Sequence, residues 1–110
     1  MDKNDKLAKQ FWALGDPLRL KILQLLPHTP NCEHHNNVSQ LAEKLGLSQP
    51  TISHHLRILR QAGLVSHKKM CRDCFYWIEL DTTAAVLESM RTALHLDYKE
   101  EATFKDPASI

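Results

Sequence analysis

The stretch VSQLAEKLGLSQPTISHHLRILRQAG, residues 38–63, decides the fold. Asn37 just before it, with Gln40 three positions on, makes a capping-box pattern, so a short helix VSQLAEKL opens there and Gly46 ends it. Leu47 leads into Ser48, a second N-cap, and Pro50 falls in the first turn of the helix that follows. That helix carries Ile52, Leu56 and Leu59 on one face and stops at Gly63. Two short helices are therefore joined by the tight turn Gly46-Leu47.

Beyond Gly63 the hydrophobic period changes from 3.6 to 2. Residues 64–69 and 74–80 read as two strands, the second rich in β-formers (CFYWIEL), with Cys71-Arg72-Asp73 as a polar tip. Asp81 reads as the cap of a last helix in which Leu87, Met90 and Leu94 form a stripe extended by Val86 and Tyr98. Upstream, residues 5–14 place Leu7, Phe11 and Leu14 on one helical face with Ala8 and Trp12 beside them, and Gly15 stops that helix. Asp16 and Pro17 open another, with Leu18, Ile22 and Leu25 as its stripe, Leu23 and Leu26 flanking, and Pro27 at its end. Residues 27–36 have two prolines and no periodicity, so they form a loop. The pattern is mostly α with a small β-hairpin, in the order helix-helix-helix-helix-strand-strand-helix, which is a winged helix-turn-helix. A single domain is expected over residues 1–101, with 102–110 as a flexible tail.

The charge distribution points the same way. Between Glu43 and Asp73 there is no acid, while Lys44, Arg57, Arg60, Lys68, Lys69 and Arg72 are all basic, so this stretch is +6 in a chain of net charge +1. Such a block is the footprint of a phosphate-binding face. A major groove about 12 Å wide admits one α-helix. The helix after Ser48 offers Gln49, Thr51, Ser53, His54 and Arg57 away from its apolar stripe, side chains suited to base edges and phosphates. Its N-terminus, capped by Ser48, aims backbone N–H groups at phosphate oxygens. Lys68, Lys69 and Arg72 on the hairpin would clamp the backbone.

Composition bounds the rest. The 110 residues are one domain's worth, and 43% hydrophobic with 25% charged is ordinary globular material. No apolar run is long enough to cross a bilayer, and residues 1–10 lack the apolar core of a secretory signal. Three cysteines are too few for a disulfide scaffold, which favours a reducing, cytoplasmic setting. So short a chain buries a modest core, and a partner subunit could supply part of its stability.

The motifs LGDPLRLKILQLL (14–26), VSQLAEKLGLSQPTISHHLRILRQAGLVSHKK (38–69) and FYWIEL (75–80) closely resemble the ArsR/SmtB family of bacterial winged-helix repressors. The resemblance covers roughly residues 7–98, and its most specific part is LSQPTISHHLRILRQAGLV. It implies a homodimer built through the first and last helices, here through Leu7, Phe11, Leu87, Met90 and Leu94. It also implies binding to double-stranded DNA at inverted-repeat operators, with release by an inducer. Two metal sites recur in the family, and both look incomplete here. Asn37-Val38-Ser39-Gln40-Leu41 has no cysteine where one site needs a pair. On the last helix Asp81 and His95 could serve, but Thr83 stands where a histidine is expected, and Asp97 and Glu100 are at the wrong offsets.

No cofactor is assigned. The remaining effector candidates are the thiols, with Cys71-Arg72-Asp73-Cys74 at the hairpin tip and Cys32-Glu33-His34-His35 in the loop. Incidental cysteines, thiol oxidation, and a soft metal or metalloid effector all stay open. Cys71 should be exposed beside Lys69 and Arg72, whose charge would favour its thiolate. Cys74 shares a strand face with Tyr76, Ile78 and Leu80 and reads as a small buried hydrophobe. Joining Cys32 to the wing looks awkward, because the tip should lie several rungs, at about 3.3 Å each, from the base where the loop pairs. Two other functions compete with DNA binding. A thiol–disulfide oxidoreductase would want its CxxC at a helix N-terminus, not at a hairpin tip. A winged helix used for protein–protein contact would have no use for the +6 stretch.

Overall fold

A computed structural model of the protein describes residues 2–33 and 36–96. Along them run α1 (Lys3–Leu14), α2 (Pro17–Leu25), α3 (Val38–Leu45), α4 (Gln49–Gln61), β1 (Val65–Met70), β2 (Asp73–Ile78) and α5 (Leu80–Ala93). This is the expected element order. His34, His35, Asp97, Tyr98, Glu100 and the tail 102–110 lie outside the described residues.

Local signals start and stop the helices. Asp16 Oδ1 accepts from the backbone N–H of Leu18 at 2.8 Å and of Arg19 at 3.1 Å, with Pro17 opening α2. Those N–H groups, Arg19's foremost, hold the Asp16 carboxyl below its ordinary range. Asn37 Oδ1 accepts from Gln40 N–H at 2.7 Å, and Ser48 Oγ from Thr51 N–H at 3.3 Å. Gly46 sits at φ 67°, a left-handed position that lets its own N–H and that of Leu47 return to carbonyls at the end of α3. The turn into α4 therefore needs glycine.

Some boundaries move. α1 begins at Lys3, ahead of the expected residue 5, because Asp2 Oδ1 accepts from Asn4 and Asp5 N–H. α5 begins at Leu80 with Glu79, not Asp81, at the cap. Glu79 is fixed there from outside, by its own N–H to Leu64 O at 2.9 Å and by Trp77 Nε1–H to its carboxylate at 3.2 Å. Leu80 is consequently helical and does not share a strand face with Cys74. The hairpin closes by the pairing Met70↔Asp73, so the tip is the two residues Cys71-Arg72 and Asp73 belongs to β2. Both tip residues have positive φ, 51° and 68°, as the tightest twisted hairpin turns require.

One core holds these elements together. Ile22, Leu41, Ile52, Leu56, Leu59 and Leu64 are fully buried, each worth roughly 1.5–3 kcal/mol over exposure. In α2 the expected stripe is only partly right, because Ile22 and Leu26 are buried while Leu18 and Leu25 are half-buried. The other buried residue of that helix is Arg19, at 6% exposure. α1 ends without a basic residue in its last turn, so its terminal carbonyls want a donor from elsewhere. Arg19 provides it, with Nε to Ala13 O at 2.7 Å and Nη2 to Trp12 O at 3.2 Å. Its guanidinium also lies over the Trp12 ring, 4.9 Å from the centroid, and Nη1 donates to His55 Nδ1 on α4 at 3.3 Å. One side chain thus joins α1, α2 and α4. Arg19→Leu should lower stability by about 1–3 kcal/mol in chemical denaturation, since it strands buried helix-end carbonyls.

Candidate nucleic-acid interface

α4 presents two faces. Ile52, Leu56 and Leu59 are buried beneath it, and Gln49, His54, Arg57 and Arg60 are exposed. Of the residues expected on the interface, Ser48, Gln49, His54 and Arg57 stand in solvent, while Thr51 and Ser53 are half-buried. Thr51 Oγ1 is also engaged with Ser48 Oγ at 2.8 Å, so part of its hydrogen-bonding capacity serves the cap. His55 is not part of the outward face. Arg19 has only donors to offer, so His55 Nδ1 must accept and its proton sits on Nε2.

The wing lies beside this face. Lys68, Lys69, Cys71 and Arg72 are all exposed. Register separates the lysines, because Lys69 pairs with Cys74 and Lys68 with Phe75. Alternation then puts Lys69 on the face of His67 and Tyr76, and Lys68 on the opposite face with Phe75, which is 5% exposed. Sequence reasoning counted the lysines as one clamp, and the pleat divides them.

Arg60 is a residue that reading used only as charge. Its Nη1 donates to His67 Nε2 at 2.9 Å, which leaves the ring proton on Nδ1, 3.2 Å from Cys74 Sγ. The same imidazole packs on Tyr76 with ring centroids 5.3 Å apart. This chain of contacts ties the end of α4 to the middle of the wing on the Lys69 face. Desolvation, with Cys74 adjacent, pushes the Tyr76 phenol up. Cys74 is half-buried with its sulfur against a histidine, not the enclosed hydrophobe that the strand pattern suggested.

The other edge of β2 is covered by the α2–α3 loop. Asn37 bridges Phe75, and its Nδ2 donates to Asp73 Oδ2 at 2.9 Å. Asn36, fully buried, donates Nδ2 to Tyr76 O at 2.7 Å, and its backbone carbonyl accepts Tyr76 N–H at 3.1 Å. Pro27 O accepts from Ile78 N–H at 2.8 Å. The loop therefore pairs close to the tip, and Cys32 Sγ lies 2.7 Å from Cys71 Sγ. The expectation that Cys32 and the wing tip are awkward to join is overturned. The expected bias of Cys71 toward thiolate fails too, since its hydrogen bond with Cys32, with some desolvation, raises its pKa above the ordinary thiol value.

On α5, Val86 is buried, Met90 is half-buried, and Leu87, with Leu94 at the C-cap, is more than half exposed. Leu7 and Phe11 of α1 are half-buried against the chain's own core. Thr83 donates its hydroxyl to Leu64 O at 3.2 Å, a tether between α5 and the start of the hairpin. Asp81 is exposed in the first turn of α5, and His95, at φ 55°, ends that helix. No group of three or more His, Cys, Asp or Glu side chains disposed to hold a metal occurs among the described residues.

A family model described as "Bacterial regulatory protein, arsR family" matches residues 16–67. An HTH-type transcriptional regulator of Methanocaldococcus jannaschii is 40% identical over 89 residues, spanning 80% of this chain and 94% of that protein. The transcriptional repressor SdpR of Bacillus subtilis is 40% identical over 74 residues, 66% of this chain and 73% of that one. A homodimeric winged helix-turn-helix DNA-binding domain from Mycobacterium bovis superposes with TM-score 0.61 at 25% identity, covering 88% of this chain and 87% of that one.

Because α4 is anchored through His55, its stability should respond to acid. Desolvation lowers the His55 pKa, Asp16 opposes this, and Arg19 and His54 add to it. The native state therefore resists protonation more than the unfolded chain, whose imidazole titrates near ~6.5, and stability falls as pH drops below that value. Thermal unfolding should show a melting temperature lower at about pH 5.5 than at about pH 7.5. The drop should be smaller in His55→Gln, whose amide oxygen can accept from Arg19 but does not titrate.

Proposed function

The chain belongs to the ArsR family of bacterial regulatory proteins, and we propose that it is a homodimeric, sequence-specific DNA-binding repressor released from its operator by an effector. One observation carries this reading. The exposed polar face of α4, with Gln49, His54 and Arg57, stands beside an exposed basic wing, and both lie in the acid-free stretch from Lys44 to Arg72. α4 would enter the major groove with its capped N-terminus foremost, reading base edges. Lys69 and Arg72 would hold the flanking phosphates, with Lys68 reaching from the other wing face by its flexible stem. No described helix is long and apolar enough to cross a membrane, which suits a regulator working in the cytoplasm.

The dimer reading rests on α5 and the turn that follows it. Leu87, Leu94 and Leu96 are 56%, 57% and 64% exposed, large apolar side chains that a second copy would cover. Two half-sites about 34–36 Å apart on DNA need two tethered recognition helices. Leu94→Lys should thus convert the protein to monomer in sedimentation and abolish operator binding, with folding intact because the side chain is already in water. A monomeric wild type at micromolar concentration would remove the basis for this arrangement.

DNA selected from a random pool supplies the direct test. Arg57→Ala and His54→Ala should weaken binding to the selected sequence, at least one of them relaxing base preference by about 1–3 kcal/mol. Lys69→Ala should weaken binding to all sequences alike and flatten the salt slope by about 1, with a smaller effect for Lys68→Ala. Unchanged affinity in both α4 variants would show that another surface binds. A selected pool with no salt dependence would favour the protein–protein alternative.

A further inference from the structure

We propose that Cys32 and Cys71 form a reversible intramolecular disulfide, a modification site that straps the wing tip to the loop between α2 and α3.

The two sulfurs come from positions 39 apart in sequence and lie 2.7 Å apart, and both residues carry free thiols. A disulfide needs about 2.05 Å, so closure takes less than an ångström of movement. The approach is not a chance meeting of two loose segments. On the loop side, Asn36 and Asn37 are buried and bonded to β2 through Tyr76, Phe75 and Asp73. On the wing side, Cys71 is the first residue of a two-residue turn closed by the pairing Met70↔Asp73, with backbone φ of 51° and 68° in the left-handed region. Neither cysteine belongs to the core. Cys71 is exposed and Cys32 half-exposed, so small oxidants and reductants can reach the pair. Cys74 is held differently, with its sulfur against His67 Nδ1.

The oxidant is a peroxide, and the chemistry balances. The Cys32 sulfur attacks one peroxide oxygen, breaking the O–O bond, and becomes a sulfenic acid, while the thiol's proton passes to the released hydroxide, which leaves as water. Cys71, whose hydrogen bond with Cys32 favours its protonated form, gives up its proton as its sulfur attacks the Cys32 sulfur. The S–S bond forms, the S–O bond breaks, and the Cys71 proton leaves with the departing oxygen as a second water. The two thiols lose two electrons and two protons, and the peroxide gains them. A dithiol reductant reverses the step by exchange.

The consequence for DNA rests on the binding reading proposed above. The strap would hold the tip from the β2 edge, while Lys69 and Arg72 must follow a phosphate path with the same tip. Oxidation would therefore weaken operator binding through the wing.

The experiment has two readouts. The full chain is treated with hydrogen peroxide, and intact mass and peptide mapping are measured before and after a dithiol reductant. Expected is the loss of two hydrogens per chain, a linked Cys32–Cys71 peptide, a higher melting temperature, and full reversal. Cys74→Ser should behave the same, whereas Cys32→Ser and Cys71→Ser should form no intramolecular link. Links to Cys74, links between chains, or over-oxidation of Cys71 without a link would overturn the proposal. So would stoichiometric zinc or arsenite binding that needs both thiols while peroxide forms no link, since the pair would then be a chelate. Operator affinity is then compared between reduced and oxidised protein, with a loss on the order of tenfold expected and none in Cys32→Ser. A link that forms without changing affinity would overturn the strap's effect on the wing. Absence of DNA binding in the reduced protein would overturn the binding reading instead, leaving the mass result to stand by itself.

Discussion

A buried guanidinium organises the scaffold. Arg19 supplies donors to Trp12 O and Ala13 O at the end of α1, rests on the Trp12 ring, and reaches His55 on α4. The arrangement works because every demand is local and directional: α1 has no cation of its own near its C-terminus, and an arginine presents several donors in one plane. The neutral imidazole of His55 completes it, since a protonated ring would set two cations against each other. Asp16, which caps α2, also faces this cluster and moderates its charge. The same contacts that hold three helices therefore fix the orientation of the outward face of α4.

The wing is braced from both sides. Toward α4, Arg60 and His67 connect helix to strand. Along its other edge, the α2–α3 loop bonds to β2 through Asn36, Asn37 and Pro27, so this strand edge is not left open. A hairpin carrying several cations would otherwise be a poorly supported two-stranded element. Among the described residues β1, with the exposed Lys68 and Lys69, is the outer strand of this pair. The cost is borne at the tip, where Cys71 and Arg72 occupy positions that glycine or asparagine would fill with less strain.

Three residues at or near the positions that the resemblance assigns to metal have structural contacts here. Thr83, where a ligand was expected, donates to Leu64 O and ties α5 to the hairpin. His95 turns the chain out of α5. Asn37, at the start of α3, caps its helix and holds Asp73 with one side chain. These residues serve packing and capping, and the thiol pair lies elsewhere.

Much of this was readable along the chain because it depends on neighbours three or four residues apart. The caps at Asp16, Asn37 and Ser48, the stops at Gly46 and Gly63, and the buried stripe Ile52, Leu56, Leu59 are such short-range rules, and the winged helix-turn-helix follows from their order. The exposed residues Gln49, His54 and Arg57 were legible for the same reason, being the complement of that stripe. What periodicity could not reveal were partners distant in sequence. A stripe argument assigns Arg19 to water, but the carbonyls that draw it inward belong to another helix. Strand alternation needs a register to say which lysine faces α4, and the register depends on a turn of two residues instead of three. The meeting of Cys32 with Cys71 depends on how far along β2 the loop pairs, which buried Asn36 and Asn37 decide through bonds formed only once the chain has folded.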